Sequence, residues 1–188
     1  MRRAGLDQAT VIQAAAELAD TVGLEKVTLG DVAAQLGVRT PSLYNHVAGL
    51  AGLQRELTLL GLHELSRRLG RAVMGKAKDE AIRALAWAYR DFVKEHPGLY
   101  TATVRAGDPE DAEQQAAAKE VVDIALKVLA PYGLHDDDAL HAVRGIRSLL
   151  HGFTMLEIVG GFGLPLELDE SFRRLVEMFI EGLEHGRD

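Results

Sequence analysis

The amino-acid sequence predicts an all-α protein built from nine helices. Apolar residues recur every three or four positions along most of the 188-residue chain, as they do on one face of a helix. Alternating β-branched segments of five or more residues, which are typical of strands, are missing from the sequence. Glycines, prolines and capping side chains separate the helical stretches from one another.

The first helix is expected from about residue 8 to residue 22. Asp7 is its expected N-cap, because a carboxylate accepts hydrogen bonds from the free backbone N–H groups of a first turn. Gly23 is expected to end it, since glycine adopts unusual backbone conformations at low cost.

The second and third helices are separated by a glycine turn. Thr28 and Asp31 have capping-box spacing, so the second helix is expected to start after Thr28. Gly37 permits the sharp turn that ends it. Thr40 and Pro41 indicate the start of a very short third helix, as an N-cap followed by proline at the first helical position.

Six longer or amphipathic segments complete the set of nine helices. Their expected ranges are 50–69, 79–95, 97–105, 110–129, 139–159 and 170–184. The three aspartates at 136–138 are expected to cap the eighth helix. A boundary near residue 50 divides the chain into a first domain, residues 1–50, and a second, residues 51–188.

Composition excludes several classes of protein. The chain has no cysteine, which rules out disulfide scaffolds and sites built on thiolates. No apolar run approaches the ~18–20 residues that span a bilayer, so no membrane partner is expected. The basic start at residues 1–5 lacks the apolar segment of a signal peptide, and a cytoplasmic location is therefore expected.

The net charge of −7 argues on average against a nucleic-acid partner, but it is unevenly distributed. Residues 1–95 carry a net charge of +2, and residues 96–188 carry −9. No carboxylate lies between Gly37 and His46. Since a carboxylate there would repel a phosphate backbone, this local gap matters more than the total.

Residues 28–46 have the layout of a helix-turn-helix, with a capped helix, a glycine turn and a short second helix. Leu43 is expected to anchor the second helix, which leaves its polar side chains facing outward. Tyr44 offers a hydroxyl on a rigid arm that suits a phosphate oxygen. Spacing alone leaves open a helical protein that never contacts DNA.

Residues 7–50 resemble the DNA-binding domain of the TetR family. The matching segments are Ala14-Ala15, Gly23, Val27-Thr28-Leu29, Val32-Ala33, Leu36-Gly37-Val38 and Ser42-Leu43-Tyr44-Asn45-His46-Val47. The second half resembles the WHG-type ligand-binding and dimerisation domain of this family, through residues 147–157 with the pair His151-Gly152. The resemblance implies a nine-helix TetR-like fold, with a three-helix DNA-binding domain before a larger helical domain.

The resemblance also implies roles for individual residues. Thr28, Tyr44 and His46 match positions that contact phosphates, and Arg2 and Arg3 match a flexible basic arm. The region that meets base edges contains Arg39, Thr40, Ser42 and Asn45. One departure is the segment 48–53, which lacks the lysine that many members place at the start of the fourth helix. That phosphate contact is then absent or made by the helix N-terminus.

Helices eight and nine carry wide apolar faces. The stripe on helix nine consists of Phe172, Leu175, Val176, Phe179, Ile180 and Leu183. These faces predict a four-helix interface between two subunits, although packing within one chain could use part of the surface. The predicted ligand contacts are four large side chains in the second domain: His63, Trp87, Tyr100 and Phe153. Core packing is the alternative for each aromatic.

Three further features concern titratable side chains in the second domain. His135, Asp137 and His141 could hold a metal ion, but an acidic helix start needs no metal, so neither a metal nor another cofactor is expected. His151 fits a core histidine. Glu157 falls on a buried stripe and then needs a partner, such as Arg144 or Arg147 of a second subunit or a ligand. Alternatively, it lies at a frayed helix end.

The sequence therefore predicts a homodimeric DNA-binding regulator rather than an enzyme. By the resemblance, it is a repressor that a small-molecule effector releases from a palindromic double-stranded operator. Two alternatives stay open. One is a metal-dependent enzyme built on residues 135–141, and the other is a helical module that binds a small molecule without DNA.

Overall fold

The computed structural model describes residues 6–104 and 108–185, and within them it has nine α-helices and no strand. The predicted all-α class is therefore confirmed. The helices are α1 (Gln8–Val22), α2 (Leu29–Leu36), α3 (Thr40–Leu43), α4 (Gly49–Val73), α5 (Lys78–Glu95), α6 (Pro97–Val104), α7 (Ala112–Leu129), α8 (Asp136–Ile158) and α9 (Leu168–His185). Two short 3-10 turns cover Leu24–Lys26 and Ala130–Tyr132.

The predicted ends of α1 and α2 are confirmed. The Asp7 carboxylate accepts the backbone N–H of Thr10 at 2.8 Å, and Gly23 ends α1 with φ 91°. The Thr28 hydroxyl accepts the N–H of Asp31 at 3.2 Å and donates to the Asp31 carboxylate at 2.6 Å. These bonds satisfy backbone groups that a helix end otherwise leaves without partners.

Two predicted caps are wrong. Arg39 rather than Thr40 precedes α3, because Arg39 keeps an extended backbone while Thr40 is already helical. In the same way His135 is the N-cap of α8, and the three aspartates occupy its first turn. There they still lie at the positive end of the helix dipole, which favours negative charge.

α4 is longer than predicted. It continues past Gly70 to Val73, because the left-handed turn that follows the helix lies at Gly75 (φ 74°). Gly70 is tolerated inside the helix, where a glycine weakens but does not end the hydrogen-bonded ladder.

The described residues form two compact units. The first contains the described residues up to Glu64 together with those between Glu95 and Ala117. The second contains residues from Leu65 to Lys94 and the described residues from Ala118 onward. α4 contributes to both units, and the division at residue 50 stays a prediction about function.

The core of the first unit packs α1 against α2 and α6. Val11 and Ala15 of α1 and Val32 of α2 are fully buried. Gly98 of α6 lies directly against the backbone of Ala19, so that a Cβ at this position would overlap the Ala19 carbonyl. Asp20 fixes the same contact, because its carboxylate accepts the backbone N–H groups of Gly98 and Leu99, each at 2.9 Å.

The core of the second unit contains buried side chains of α5, α8 and α9, together with others from the end of α4 and from α7. Its fully or almost fully buried side chains include Ile82, Phe92, Val93, Leu150, Phe172, Val176 and Ile180. No helix in the described part of the chain is long and apolar enough to cross a membrane.

Candidate nucleic-acid interface

Leu43 holds α3 in place, as the sequence predicts. Its side chain is 0% exposed, and Val47, one turn later, is also buried. α3 contacts α2 across the glycine turn, where Gly37 adopts the left-handed conformation with φ 66°. The short helix is thereby fixed by apolar contacts on one side, and its polar side chains lie on the other.

The predicted DNA-facing side chains are accessible to different degrees. Tyr44 is 61% exposed, and Arg39 and Asn45 are also exposed. Thr40, Ser42 and His46 are half-buried. The structure thus brings this set together on one short segment, in which the Tyr44 side chain is accessible to solvent.

Two carboxylates lie close to the predicted phosphate contacts. Thr28 is exposed, but its hydroxyl is already bonded to Asp31. The pKa of Asp7 is lowered, chiefly by the hydrogen bond from the Thr10 N–H and to a smaller extent by the charge of His46. Asp7 and Asp31 both lie outside residues 37–46, the stretch that the sequence shows to be free of carboxylates.

Two further parts of the predicted interface are the basic arm and the start of α4. Arg2 and Arg3 lie outside the described residues. The start of α4 carries no acidic side chain in its first turn, and Gly49 begins it with φ 71°. The prediction that the phosphate contact here is either absent or made by the backbone N–H groups of this turn stays a prediction.

The four predicted ligand contacts divide between the compact units. His63 is exposed and Tyr100 is buried in the first unit. Trp87 and Phe153 belong to the second unit, where their rings lie 5.0 and 5.1 Å from the ring of Phe172. Trp87 and Phe153 therefore share one aromatic cluster, and the role of all four as ligand contacts stays a prediction.

A buried arginine completes this aromatic cluster. Arg90 of α5 is 2% exposed, and its guanidinium carbon lies 5.1 Å from the centre of the Trp87 ring, 5.7 Å from Phe153 and 4.9 Å from Phe172. Such cation–π contacts stabilise a desolvated positive charge. No sequence signal identified Arg90, because its partners are far away along the chain.

The expected partner of Glu157 is corrected by the structure. Glu157 binds Arg90 and Lys94 of its own chain, at 2.7–2.8 Å and 2.6 Å, and Arg90 also binds Asp169 at 2.8 Å. Burial opposes the charged form of Glu157, yet hydrogen bonds from Arg90 and Lys94 outweigh this and lower its pKa. Neither Arg144 nor Arg147 of a second subunit is required.

The histidines that suggested other chemistry have ordinary surroundings. Among residues 6–104 and 108–185, no group of three or more histidine, aspartate or glutamate side chains could hold a metal ion. His135, Asp137 and His141 therefore do not form a three-ligand site. His151 is half-buried, and burial, together with the charge of Arg147, lowers its pKa.

By fold and by site, these features define a helix-turn-helix protein that binds DNA. Residues 11–49 match the family described as bacterial regulatory proteins, tetR family, and residues 82–179 match the tetracyclin repressor-like C-terminal domain. The second match includes the helix that carries His151 and Gly152. The chain belongs to the TetR family and is a DNA-binding transcriptional regulator.

Relatives of similar length support this assignment. The chain is 37% identical to the uncharacterised HTH-type transcriptional regulator YobS of Bacillus subtilis, over 96% of this chain and 94% of that protein. It is 34% identical to an uncharacterised HTH-type transcriptional regulator of Mycobacterium tuberculosis, over 97% of this chain and 84% of that protein.

Two solved structures share the fold. One is BioQ with its double-stranded DNA operator, with a TM-score of 0.71 and 22% identity over 96% of this chain and 99% of that one. The other is a TetR variant from Acinetobacter baumannii in complex with minocycline, with a TM-score of 0.73 and 22% identity over 98% and 99%. At this identity the likeness concerns the fold alone.

Proposed function

We propose that this regulator is a repressor, which binds a palindromic operator as a homodimer and leaves it when a small-molecule effector binds. The observation that carries the proposal is the polar segment from Arg39 to His46, which is partly exposed, has no carboxylate and is held by the buried Leu43. BioQ in complex with its operator and the minocycline complex show that this fold accommodates both kinds of partner.

The proposed DNA contacts fall into two groups. Thr28, Tyr44 and His46 contact phosphates, while the arm with Arg2 and Arg3 reaches the backbone or the minor groove. Base edges are contacted from the other polar positions: Arg39, Thr40, Ser42 and Asn45. For Thr28 to contact a phosphate, its hydroxyl must exchange its bond to Asp31 for a bond to DNA.

The proposed dimer uses α8 and α9. Phe172, Val176 and Ile180 are buried within one chain, whereas the rest of the stripe on α9 stays half-buried: Leu175, Phe179 and Leu183. Met178 on α9 and Leu156 on α8 are exposed. A second copy would cover this remaining apolar surface, and two such subunits form a four-helix interface.

We also propose separate functions for the two parts of the chain. Residues 1–50 bind DNA, and residues 51–188 bind the effector and form the dimer. His63, Trp87, Tyr100 and Phe153 contact the effector. The protein acts in the cytoplasm, where the DNA lies, and has neither enzymatic activity nor a cofactor.

Selection of DNA sequences with the purified full-length protein tests the proposal. The expected product is a palindromic sequence with half-sites about 10–10.5 base pairs apart or slightly more, bound by two chains. Affinity for it should fall steeply with salt, because phosphate contacts release counterions. Recovery of no preferred sequence, or of a site bound by one chain, would contradict the proposal.

A further inference from the structure

A cavity of about 200 Å³ lies in the second compact unit. It is formed by the end of α4, the turn that follows, the start of α5 and the end of α7. Its lining residues are Val73, Lys76, Ala77, Lys78, Ala81, Lys127, Val128 and Pro131. The proposed effector contacts are different residues, so this cavity is a separate site that the proposed function does not use.

The floor of the cavity is apolar. Ala81 and Val128 are buried, Val73 is half-buried, and Pro131 adds a ring at the edge. An apolar cavity of ~150 Å³ holds a benzene ring. This cavity of about 200 Å³ is partly open to solvent, so it has room for one ring or a short hydrocarbon chain with a small polar group at its mouth.

The rim of the cavity is positively charged. Lys76 is paired with Glu80 at 3.0 Å, which balances its charge. Within the described part of the chain, the side chains of Lys78 and Lys127 have no ion-pair partner, and both are exposed. Two uncompensated ammonium groups thus stand beside an apolar floor.

The backbone at Lys78 is unusual. Its φ of 48° lies in the left-handed region, which residues with a side chain adopt infrequently. Backbone conformations of this kind concentrate at functional sites, where the surrounding structure holds them. Here the conformation occurs at a lysine that lines the cavity.

We propose that this cavity binds a small carboxylate whose apolar part is a single ring or a short chain. The carboxylate lies at the rim between Lys78 and Lys127, which attract it as point charges. The apolar part lies against Ala81 and Val128, where it is removed from water. A neutral molecule of the same shape gains only the second contribution, and a cation is repelled.

Calorimetric titration of the full-length protein at low ionic strength tests this site with three matched probes. We expect benzoate to bind once per chain, benzyl alcohol to bind about tenfold more weakly or worse, and benzylamine not to bind. Benzoate should also shift the methyl NMR signals of Val73 and Val128. Failure of benzoate to bind at millimolar concentration, equal binding of benzyl alcohol, or shifts confined to other methyl groups would each overturn the proposal.

Substitutions of the two rim lysines test how much their positive charges contribute to the affinity for benzoate. Lys78→Gln combined with Lys127→Gln should weaken benzoate binding about tenfold or more. Lys119→Gln is the matched control, because Lys119 is also exposed on α7 but is paired with Asp123 away from this cavity. It should bind benzoate like the unmodified protein. An unchanged affinity in the double variant, with its circular dichroism unaltered, would show that the lysines do not form the site.

Discussion

Arg90 and Glu157 form a two-pronged ion pair inside the second compact unit, with Nε and Nη2 of the arginine at 2.7 and 2.8 Å from the two carboxylate oxygens. The pair joins α5 to α8, and the bond from Arg90 to Asp169 extends it to the first turn of α9. The charges are enclosed by Trp87, Phe153 and Phe172. These bonds of Arg90 therefore connect α5 to the two helices that carry the proposed dimer surface.

Glu157→Gln should strongly destabilise the protein. The amide removes the negative charge and leaves the buried Arg90 with Asp169 as its only carboxylate among the described residues. Loss of one partner from a buried pair costs about 3–5 kcal/mol, and the remaining bond to Asp169 places the expected loss near the lower end. Urea unfolding measures it. Glu181→Gln, at an exposed position on α9, is the control and should change the unfolding free energy by less than about 0.5 kcal/mol.

The contribution of Glu157 should also depend on pH in a defined direction. Its pKa in the folded protein lies below the ordinary value of 4.5, because hydrogen bonds from Arg90 and Lys94 outweigh burial. Its stabilising effect is therefore complete above pH 4.5 and is lost as the pH falls through the lowered pKa. The difference in unfolding free energy between the unmodified protein and Glu157→Gln should shrink on acidification to about pH 3. If this difference in unfolding free energy does not change with pH, the lowered pKa of Glu157 is contradicted.

The sequence predicts local features of this protein well and long-range partners poorly. Asp7, Thr28 and Gly37 act on backbone within a few residues, so their spacing alone indicated the ends of α1 and α2. Arg90 and Glu157 are 67 positions apart, and no periodic pattern relates them. The sequence could show that Glu157 needs a partner, but only the fold identifies which cation reaches it.

The same distinction applies to the DNA-facing segment. The burial of Leu43 follows from its being the apolar residue in a short polar helix, and the structure confirms it. The hydrogen bond from the Thr28 hydroxyl to Asp31 belongs to a predicted helix cap. It also places a carboxylate next to a proposed phosphate contact. The spacing of Thr28 and Asp31 is enough to recognise the cap. Whether Asp31 and a DNA phosphate compete for the Thr28 hydroxyl depends on the direction of that hydroxyl, which the spacing does not give.

Gly98→Ala should disrupt the contact between α1 and α6. A methyl group at this position overlaps the backbone of Ala19, which cannot move as a flexible side chain can. Overpacking of this kind costs about 1–3 kcal/mol or more. Gly70→Ala is the matched control inside α4, since its Cβ would meet only Ile124 at an ordinary 3.8 Å. It should raise stability by about 0.5–1 kcal/mol. Thermal unfolding measures the stability of both variants. Equal effects of the two substitutions would show that the close approach of α6 to α1 does not contribute to stability.

Tyr44→Phe should weaken binding to every DNA sequence by a similar factor. The Tyr44 side chain is exposed beside α3, and a phosphate contact carries no sequence information. Loss of one hydrogen bond of about 1 kcal/mol corresponds to about fivefold weaker binding. Fluorescence anisotropy with the selected operator and with a scrambled duplex measures both affinities. Weakening restricted to the operator would assign the hydroxyl to a base instead.

Arg39→Ala should reduce sequence preference more than total affinity. Arg39 is exposed at the start of α3, and an arginine that reaches a guanine edge contributes about 1–3 kcal/mol of discrimination. The expected result is a smaller ratio between the affinities for operator and scrambled DNA. Lys119→Ala removes one positive charge from α7, so it controls for the change in net charge and should leave this ratio intact. If Arg39→Ala instead weakens both duplexes equally and lowers the salt dependence by about one counterion, Arg39 contacts a phosphate rather than a base.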